Sequence, residues 1–483
     1  MAFLIGGANS AADTAFSVDN SCRFNDDDGA YMHKTVSAPT NGKIFTFSFW
    51  FKLGSSATSQ YIISSCTAGS PVAYTSIVVM QTATHNNVMR IECGSVEGNA
   101  IDLKTNQSFR DPSAWMHVCV AIDTSQSTAA NRDKLYINGT QVTSFATETH
   151  STQNDTWDIN ADGNKFEISS YGCDTPGYYF DGYLAEVCFV DGQQLSPTSF
   201  GEFDSDSPTI WKPIDVSGLT FGNNGFYLDF EDSSNLGNDK NGGTDLTEVN
   251  LAATDQSTDT PTNSFCTMNP LATSSYTTLS EGNLLSTGGS SDESGSYGTM
   301  AANNGKWYAE FKATVGSSSA YPWICVSHVD GSEYGRLETG GGGTPGNGST
   351  ASGCYRADGG KRSNSSTSSS WGDTFDDDDI IGLAIDCDNG AAYAAKNGTW
   401  QNSGDPTSGA SKTGALVTWT PANEDAAVFA DTQYNASSSN WNFGSPAYAN
   451  SSDAADANGY GAFEYAPPSG YYALCTKNLA EFG

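Results

Sequence analysis

Two carboxylates on one face of a strand would be the most informative chemical signal in this chain of 483 residues. Glycoside hydrolysis needs such a pair at a separation of about 5–9.5 Å, and alternate residues of a strand share a face. Residues 202–206, Glu-Phe-Asp-Ser-Asp, come nearest to the pattern Glu-x-Asp-x-x-Glu. They lack the final glutamate and fall in a predicted loop, so the segment indicates a solvated turn.

Other catalytic signals do not appear in the sequence. The histidines show no metal-ligand spacing; they are His33, His85, His117, His150 and His328. His117 lies in an alternating strand pattern, which is typical of a packed, hydrogen-bonded histidine rather than a base. There is no G-x-S-x-G nucleophile elbow. We therefore predict that the chain is not an enzyme.

An acidic turn, Asp26, Asp27 and Asp28, precedes Gly29. Carboxylate-rich loops supply the oxygen ligands that calcium prefers, and these three residues are the candidate metal ligands. A solvated loop is the alternative interpretation. Calcium is the only cofactor that the sequence suggests.

The charge of the chain excludes some partners. The formal net charge is −34 and the isoelectric point is near 4.1. Binding to nucleic acid phosphates or to an anionic membrane surface requires clustered basic residues, so neither is predicted. No apolar run reaches the roughly 18 residues of a membrane span, and residues 1–8 lack the features of a signal peptide.

The 11 cysteines include no C-x-x-C pair, so they do not indicate a zinc module or a thioredoxin-like motif. Some lie inside strand-like runs, where cysteine acts as a small apolar residue; these are Cys119, Cys188, Cys325 and Cys387. We predict a mostly reduced state after synthesis in a cytosol, and the sequence leaves one or two disulfides open.

Strand patterns dominate the elements that would position these residues. Phe45, Phe47, Phe49, Phe51 and Leu53 occupy alternate positions and predict an aromatic core face. The pairs Asn138-Gly139 and Asn397-Gly398 each separate two extended runs, which strongly predicts hairpins. Residues 183–190 alternate as a strand that closes the first domain, with Asp191-Gly192 as the following turn.

The predicted fold class is all-β, with two antiparallel β-sandwich, jelly-roll-like domains in tandem. We place the first domain at residues 1–230 and the second at 265–483. Residues 231–264, rich in Asn, Asp, Gly, Ser and Thr, are predicted to be a connector.

Particular motifs carry a resemblance to known families. Residues 115–118 (Trp-Met-His-Val), 135–139 (Leu-Tyr-Ile-Asn-Gly) and 179–187 (Tyr-Phe-Asp-Gly-Tyr-Leu-Ala-Glu-Val) resemble a laminin-G-like, concanavalin A-like lectin domain. Residues 305–310, 379–386 and 396–398 are similar to a SPRY domain. Their combination resembles virion proteins of tailed bacteriophages, marine ones especially.

The resemblance implies a virion structural protein, made in the host cytoplasm and located on the tail or capsid surface. A tail fibre or appendage that attaches to host-surface glycan is the leading hypothesis. Capsid decoration, or another purely structural role, is the alternative, and a glycan-degrading enzyme is a third. The implied partners are other virion proteins and copies of the same chain, a trimer being common among fibres.

Sugar-binding residues follow from the lectin-like resemblance. Aromatic rings stack on the apolar faces of sugars, while amides and carboxylates bond to sugar hydroxyls. The candidates are Tyr178, Tyr179, Tyr355 and Trp371. Buried packing is the alternative role for each of them.

Overall fold

The computed structural model describes residues 4–5, 16–54, 59–67, 73–80, 87–93, 101–289, 293–315, 321–329, 345, 351–363, 366–421 and 426–483. The chain divides into two compact units, Ala11–Thr262 and Asn263–Gly483, which we call the N-terminal and C-terminal units. Strands are numbered in chain order. The first, β1 (Leu4–Ile5), belongs to the C-terminal unit.

The N-terminal unit consists of strands joined by turns and short 3-10 helices. Its strands are β2 (Ser21–Phe24), β3 (Tyr31–Thr35), β4 (Ile44–Leu53), β5 (Gln60–Thr67), β6 (Ala73–Met80), β7 (Val88–Cys93), β8 (Ile101–Ser108), β9 (Met116–Asp123), β10 (Asp133–Ile137), β11 (Thr140–Gln141), β12 (Phe145–Thr149), β13 (Asn164–Ile168), β14 (Gly182–Asp191), β15 (Gly201–Phe203), β16 (Trp211–Pro213), β17 (Phe226–Leu228), β18 (Thr247–Val249) and β19 (Gln256–Ser257). The 3-10 helices are Ala129–Asn131, Asp158–Asn160, Pro197–Ser199 and Ala253–Asp255.

These strands form two large antiparallel sheets and a small ribbon. The first sheet has the order β11-β10-β9-β4-β14-β2-β19, with β17 also paired to β14. The second sheet has the order β12-β8-β7-β6-β5-β13-β3-β18, and β15 pairs with β16. Apolar residues of both large sheets share one buried core, so the unit is a β-sandwich.

The predicted aromatic face of β4 is confirmed. All five alternate residues from Phe45 to Leu53 are buried in the core between the sheets. Phe47 stacks on Phe189 of β14, with ring centroids 4.5 Å apart, and on Phe166 of β13 at 5.5 Å. Rings from three strands therefore fill the centre of the sandwich, where each buried side chain contributes about 1.5–3 kcal/mol.

Strand β14 departs from the predicted alternation. Strict alternation would give one face to Tyr183, Ala185, Val187 and Phe189. Instead, Glu186 has a φ of 50°, and the pairing with β4 shifts between Ala185 and Cys188. This β-bulge turns Val187 toward the main core, while Ala185 packs against Trp50 on the other side of the sheet. The single-face prediction is therefore wrong.

Both predicted Asn-Gly hairpins are confirmed. Asn138 and Gly139 join β10 to β11 with φ values of 45° and 74°. Asn397 and Gly398 show φ values of 46° and 74°. A two-residue turn of this kind requires positive φ at both positions, which Asn and Gly accept most readily.

Residues 231–262, within the predicted connector, are part of the N-terminal unit. Strand β18 pairs with β3, and β19 pairs with β2. Leu246 is buried in the main core. Through these contacts, residues 231–262 add an edge strand to each of the two large sheets of the sandwich. That residues 1–230 and 265–483 are separate domains stays a prediction.

The C-terminal unit is the second sandwich. Its strands are β1, β20 (Met268–Thr273), β21 (Thr277–Ser280), β22 (Leu285–Gly288), β23 (Ser294–Ala302), β24 (Lys306–Thr314), β25 (Trp323–His328), β26 (Gly353–Arg356), β27 (Lys361–Ser363), β28 (Ser366–Ser368), β29 (Ile380–Asp386), β30 (Ala391–Lys396), β31 (Thr399–Trp400), β32 (Val417–Thr418), β33 (Ala427–Gln433), β34 (Ser438–Asn442) and β35 (Tyr472–Ala473). Its helices are the 3-10 helices Gln401–Ser403 and Pro406–Ser411 and the α-helix α1 (Thr476–Phe482).

One sheet of this unit has the order β1-β23-β33-β25-β26-β27-β28, with β20 paired to β23. The other has the order β21-β22-β34-β24-β29-β30-β31, with β32 on β30 and β35 on β24. Pairing is antiparallel except for β1 with β23 and β24 with β35. The predicted all-β class of two antiparallel sandwiches is thus confirmed. Within the described residues, no helix is long and apolar enough to cross a bilayer.

The cysteines divide into two groups. Cys325 of β25 stands directly opposite Cys354 of β26 and forms a disulfide with it. The prediction of a free, apolar Cys325 is therefore wrong, because register across two strands is not visible in the sequence. Cys119, Cys188 and Cys387 are buried free cysteines, as predicted.

Candidate functional site

The loop between β13 and β14 is held in place at three points. Tyr171 and Gly177 exchange two backbone hydrogen bonds of 2.9 and 3.0 Å. Cys173 forms a disulfide with Cys66 of β5. The amide of Tyr61, also on β5, donates to the carbonyl of Tyr178 over 3.0 Å. The loop is therefore closed on itself by the bonds between Tyr171 and Gly177 and attached to β5 of the second sheet at Cys173 and Tyr178.

Three rings converge where this loop meets β5, and we call Tyr61, Tyr171 and Tyr178 the tyrosine cluster. Their ring centroids lie 4.4 Å apart for Tyr61 and Tyr171, 5.8 Å for Tyr61 and Tyr178, and 6.1 Å for Tyr171 and Tyr178. Tyr178 is 61% exposed and has a φ of 53°. A tyrosine in this left-handed conformation persists only where its surroundings hold it, so the backbone at Tyr178 is held in place while the ring lies partly against Tyr61 and Tyr171.

Charged side chains of β7 and β8 share this part of the sheet. Arg90 donates from Nε to Asp102 Oδ1 over 2.7 Å and from Nη2 to Asp102 Oδ2 over 2.9 Å. A third contact joins Arg90 Nη1 to Glu92 at 2.5 Å. Burial first, and then the charge of Glu92, raises the pKa of Tyr61. The Tyr61 phenol therefore stays protonated and can donate a hydrogen bond.

A second group of rings adjoins the loop. Tyr179 packs 6.2 Å from Tyr31, which lies 5.8 Å from His33. The hydroxyl of Tyr179 donates to the carbonyl of Pro176 over 2.9 Å. Burial and the nearby Lys165 lower the pKa of His33. The predicted residues Tyr178 and Tyr179 thus belong to two neighbouring ring groups of the same unit.

The other predicted pair lies in the C-terminal unit. Tyr355 is fully buried and its hydroxyl donates to the carbonyl of Asp373. Its ring meets Trp371 edge-on at 5.4 Å, and Lys361 Nζ lies 5.7 Å from the centre of the Trp371 ring. Only Trp371, which is half-buried, offers surface to a ligand here.

The acidic turn joins β2 to β3. Asn25 Nδ2 donates to Asp28 Oδ2 over 2.9 Å. Burial and the charge of Asp27 raise the pKa of Asp26. These three aspartates do not form a cluster of ligand atoms: in the described residues, Cys66, Cys173 and Glu167 are the group of metal-ligand types within 4.8 Å of one another. Calcium binding at residues 26–28 stays a prediction.

The carboxylates of residues 202–206, the segment nearest to the hydrolase pattern, form ion pairs and hydrogen bonds within the fold. Glu202 and Asp204 each lie 3.4 Å from Lys212 Nζ. Asp204 Oδ1 also accepts from the amides of Asp206 and Ser207, each over 2.9 Å. This is an Asx-type turn at the end of β15.

Carboxyl groups with strongly raised pKa lie inside the sandwiches. Burial raises the pKa of Glu186 to about 8 and that of Glu310 to about 7. Glu186 accepts from the Tyr227 hydroxyl and Glu310 from the Tyr308 hydroxyl, both over 2.8 Å. Neither carboxyl belongs to the tyrosine cluster.

His33 lies beside Tyr31 in the ring group that adjoins the loop between β13 and β14. His117 is fully buried, its Nε2 lies 2.8 Å from Ser48 Oγ, and burial lowers its pKa to about 3. His85 lies outside the described residues. A packed role for His117 fits the strand pattern in which it occurs.

Sequence reasoning missed most of the site. Tyr61, Tyr171, Arg90 and Asp102 come from separate strands or loops, and only the pairing of β5 through β8 brings them together. One signal was present in the sequence: Cys173 lies five residues before Tyr178 and could have been recognised as a possible disulfide partner. Binding residues are often found on loops that a rigid scaffold positions.

Residues 25–198 match the family described as the concanavalin A-like lectin/glucanases superfamily, so the lectin-like fold is confirmed for this part of the chain. No curated protein matches the chain.

Among solved structures, a candidate carbohydrate-binding protein of Bacteroides ovatus is 15% identical, with a TM-score of 0.34. The match covers 48% of this chain and 58% of that protein. A heptameric SAP-like pentraxin of Limulus polyphemus is 13% identical over 38% of this chain and 80% of its own, with a TM-score of 0.28. A human SPRY domain is 14% identical over 36% of this chain and 98% of its own, with a TM-score of 0.25.

Proposed function

We propose that this chain is a non-enzymatic, glycan-binding protein of a bacteriophage virion, carried by a tail fibre or appendage that attaches to the host surface. The observation that carries the proposal is the exposed ring of Tyr178, which a tethered loop holds against Tyr61 and Tyr171. Glu92 and Arg90 act electrostatically on the phenol of Tyr61. The match of residues 25–198 to a lectin and glucanase superfamily supports a saccharide as the ligand.

The chemistry of the cluster suits a sugar. The exposed face of Tyr178 would stack on the apolar face of a pyranose ring. The Tyr61 phenol can donate to a hydroxyl, and Glu92 and Asp102 can accept from hydroxyls. Because the loop that carries Tyr178 is anchored to β5, binding requires little ordering of the loop.

The same geometry supports binding rather than hydrolysis. A glycosidase needs one carboxyl group that remains protonated until it donates to the leaving oxygen. Glu92 and Asp102 both contact the guanidinium of Arg90, so each already serves as an ion-pair partner. The carboxyl groups with strongly raised pKa, Glu186, Glu310 and Asp431, are buried away from solvent.

The virion setting rests on the resemblance of the two-sandwich chain to tailed-phage proteins. In this proposal the protein is made in the host cytoplasm, assembles with other virion proteins as a homo-oligomer, and sits on the tail. The net charge of −34 would keep such a surface soluble and free of nucleic acid.

The test is a binding assay of the full chain on arrays of bacterial envelope polysaccharides and on whole host cells. We expect binding that Tyr178→Ala reduces by about tenfold or more. Tyr276→Ala, which removes an exposed tyrosine of the C-terminal unit, is the matched control and should bind normally. Failure of the wild-type protein to bind any envelope glycan or host cell would overturn the proposal.

Imaging of antibody-labelled particles tests the location separately. A few copies at the tail fit an attachment role, whereas many copies over the shell would indicate capsid decoration. Release of reducing sugar from a bound polysaccharide would contradict the non-enzymatic assignment.

A further inference from the structure

A pocket at one edge of the N-terminal sandwich is distinct from the tyrosine cluster. It lies where the β10–β11 hairpin, the end of β8, the segment between β11 and β12, and β15 come together. Its volume is about 410 Å³. Small-molecule sites commonly measure about 300–1,000 Å³, so the pocket has the size of a ligand site.

The pocket wall carries no charged side chain. Its polar groups are amides and hydroxyls, among them Asn106, Gln107, Thr140 and Gln141, and all four are exposed. Amides and hydroxyls both donate and accept hydrogen bonds, as the hydroxyls of a sugar also do. A carboxylate, sulfate or phosphate would instead require Arg or Lys, and the net charge of −34 repels anions.

One wall of the pocket includes an aromatic side chain in a supported position. Phe203 is 45% exposed, and its ring meets Trp211 edge-on at 4.9 Å. Trp211 in turn lies against Gly139 of the hairpin, where an added Cβ would fall 2.3 Å from the indole. The hairpin and Phe203 are therefore packed against the same indole, and the exposed part of the Phe203 ring is held beside the hydrogen-bonding groups.

We infer that this pocket is a second carbohydrate site, specific for an uncharged saccharide that stacks on Phe203 and bonds with the amides of Gln141 and Asn106. The inference goes beyond the proposed function, since Tyr61 belongs to β5 and Tyr171 and Tyr178 to the loop between β13 and β14, and none of the three lines the pocket. A peptide adding to the edge strand β11 would use backbone groups and apolar anchors. The amide and hydroxyl side chains of the wall favour the saccharide.

Saturation-transfer NMR on the full chain tests this assignment. The probes are glucose, galactose, mannose, N-acetylglucosamine and their disaccharides, with glucuronic acid and galactose 6-sulfate as charged counterparts. We expect at least one uncharged probe to bind, with an affinity that added salt leaves unchanged. Phe203→Ala and Gln141→Ala should each weaken that binding by about tenfold.

Three controls separate the outcomes. Phe203→Tyr keeps the ring and should retain binding. Tyr178→Ala should leave the uncharged probe bound even if it abolishes binding to envelope polysaccharide, so this inference and the proposed function can fail independently. Melting temperatures equal to that of wild type establish that the variants fold. We expect this result because the side chains of Phe203 and Gln141 are both exposed.

Three results would overturn the inference. The first is that wild type and Phe203→Ala bind the uncharged probes equally, or that neither binds them. A charged probe could prove to be the ligand that Phe203→Ala loses. A library peptide that binds wild type but not Phe203→Ala would show that the edge strand, not a sugar, uses the pocket.

Discussion

Lys52 Nζ lies 2.6 Å from Asp259 Oδ2, and the two side chains are only 1% and 2% exposed. Trp115 Nε1 donates to the other oxygen of the same carboxylate over 2.8 Å. Lys52 belongs to the central strand β4, while Asp259 follows the edge strand β19. The pair therefore joins the end of the N-terminal unit to the middle of its first sheet.

Removing one partner of this pair should be costly, because the other charge stays buried without compensation. We expect Asp259→Ala to lower the free energy of unfolding by about 3–5 kcal/mol, measured by urea denaturation. Asp162→Ala, at an exposed carboxylate, should change it by less than about 0.5 kcal/mol. The double variant Lys52→Met with Asp259→Leu should recover most of the loss, and a small effect of Asp259→Ala would contradict this account.

The same contacts predict which fragment of the N-terminal unit should fold by itself. A fragment of residues 11–262 keeps β18, β19 and the buried pair of Lys52 with Asp259, so it should unfold in one cooperative transition. A fragment of residues 11–230 loses all of them and should be poorly folded. Circular dichroism melting of the two fragments decides the matter. Equal melting temperatures would show that residues 231–262 are dispensable, as a connector would be.

Tyr178 should contribute to binding and not to stability. Its φ of 53° is easily adopted by glycine, so Tyr178→Gly relieves strain while it removes an exposed ring. We expect the free energy of unfolding to change by less than about 1 kcal/mol, while glycan binding is lost. A large loss of stability would mean that the ring is a structural contact, and a retained affinity would place the binding site elsewhere.

The disulfide between Cys66 and Cys173 should stabilise the fold and position the loop. It closes a separation of 107 residues, and such links contribute about 2–4 kcal/mol. Cys173→Ser should therefore lower the melting temperature and weaken glycan binding together. Cys66→Ser, which removes the other half of the same disulfide, should behave like Cys173→Ser. A variant with normal binding would show that the Tyr171–Gly177 hydrogen bonds position the loop alone.

The sequence predicted what depends on local pattern. The alternate rings of β4 and the Asn-Gly turns follow from period and backbone preference, and both are present. It failed where the decisive fact is a long-range pairing. The bulge at Glu186 and the disulfide of Cys325 with Cys354 both depend on the register between strands distant in sequence.

The candidate sites show the same limit. Tyr178 could be selected as an aromatic residue in a polar loop, whereas Arg90 and Tyr61 join it only through the order of the second sheet. Gln141 has no sequence signal of its own, because amides are common on any polar surface, and the sequence around Phe203 suggests an apolar anchor and not the 45% exposed ring that it is. Their significance comes from the pocket that the hairpin and β15 form.

The buried carboxyl group of Glu186 gives the fold a predictable dependence on pH. Glu186 is 6% exposed and accepts from the hydroxyl of Tyr227, and burial, together with the charge of Asp229, raises its pKa to about 8 from an ordinary value of 4.5. Between these two pH values the folded chain keeps a proton that the unfolded chain releases. The contribution of this group to stability is therefore complete below pH 4.5 and is lost as the pH rises to about 8.

Glu186→Gln removes this titration while keeping the shape and a hydrogen-bonding side chain. We expect the free energy of unfolding of wild type, minus that of the variant, to fall as the pH rises from 4.5 to about 8. One pKa unit corresponds to about 1.4 kcal/mol, so the fall should reach several kcal/mol. Urea denaturation of both proteins across this range measures it. Glu310 titrates in both proteins and cancels in the difference, so parallel curves would mean that Glu186 is ionised in the folded state and that the bulge at this residue admits water.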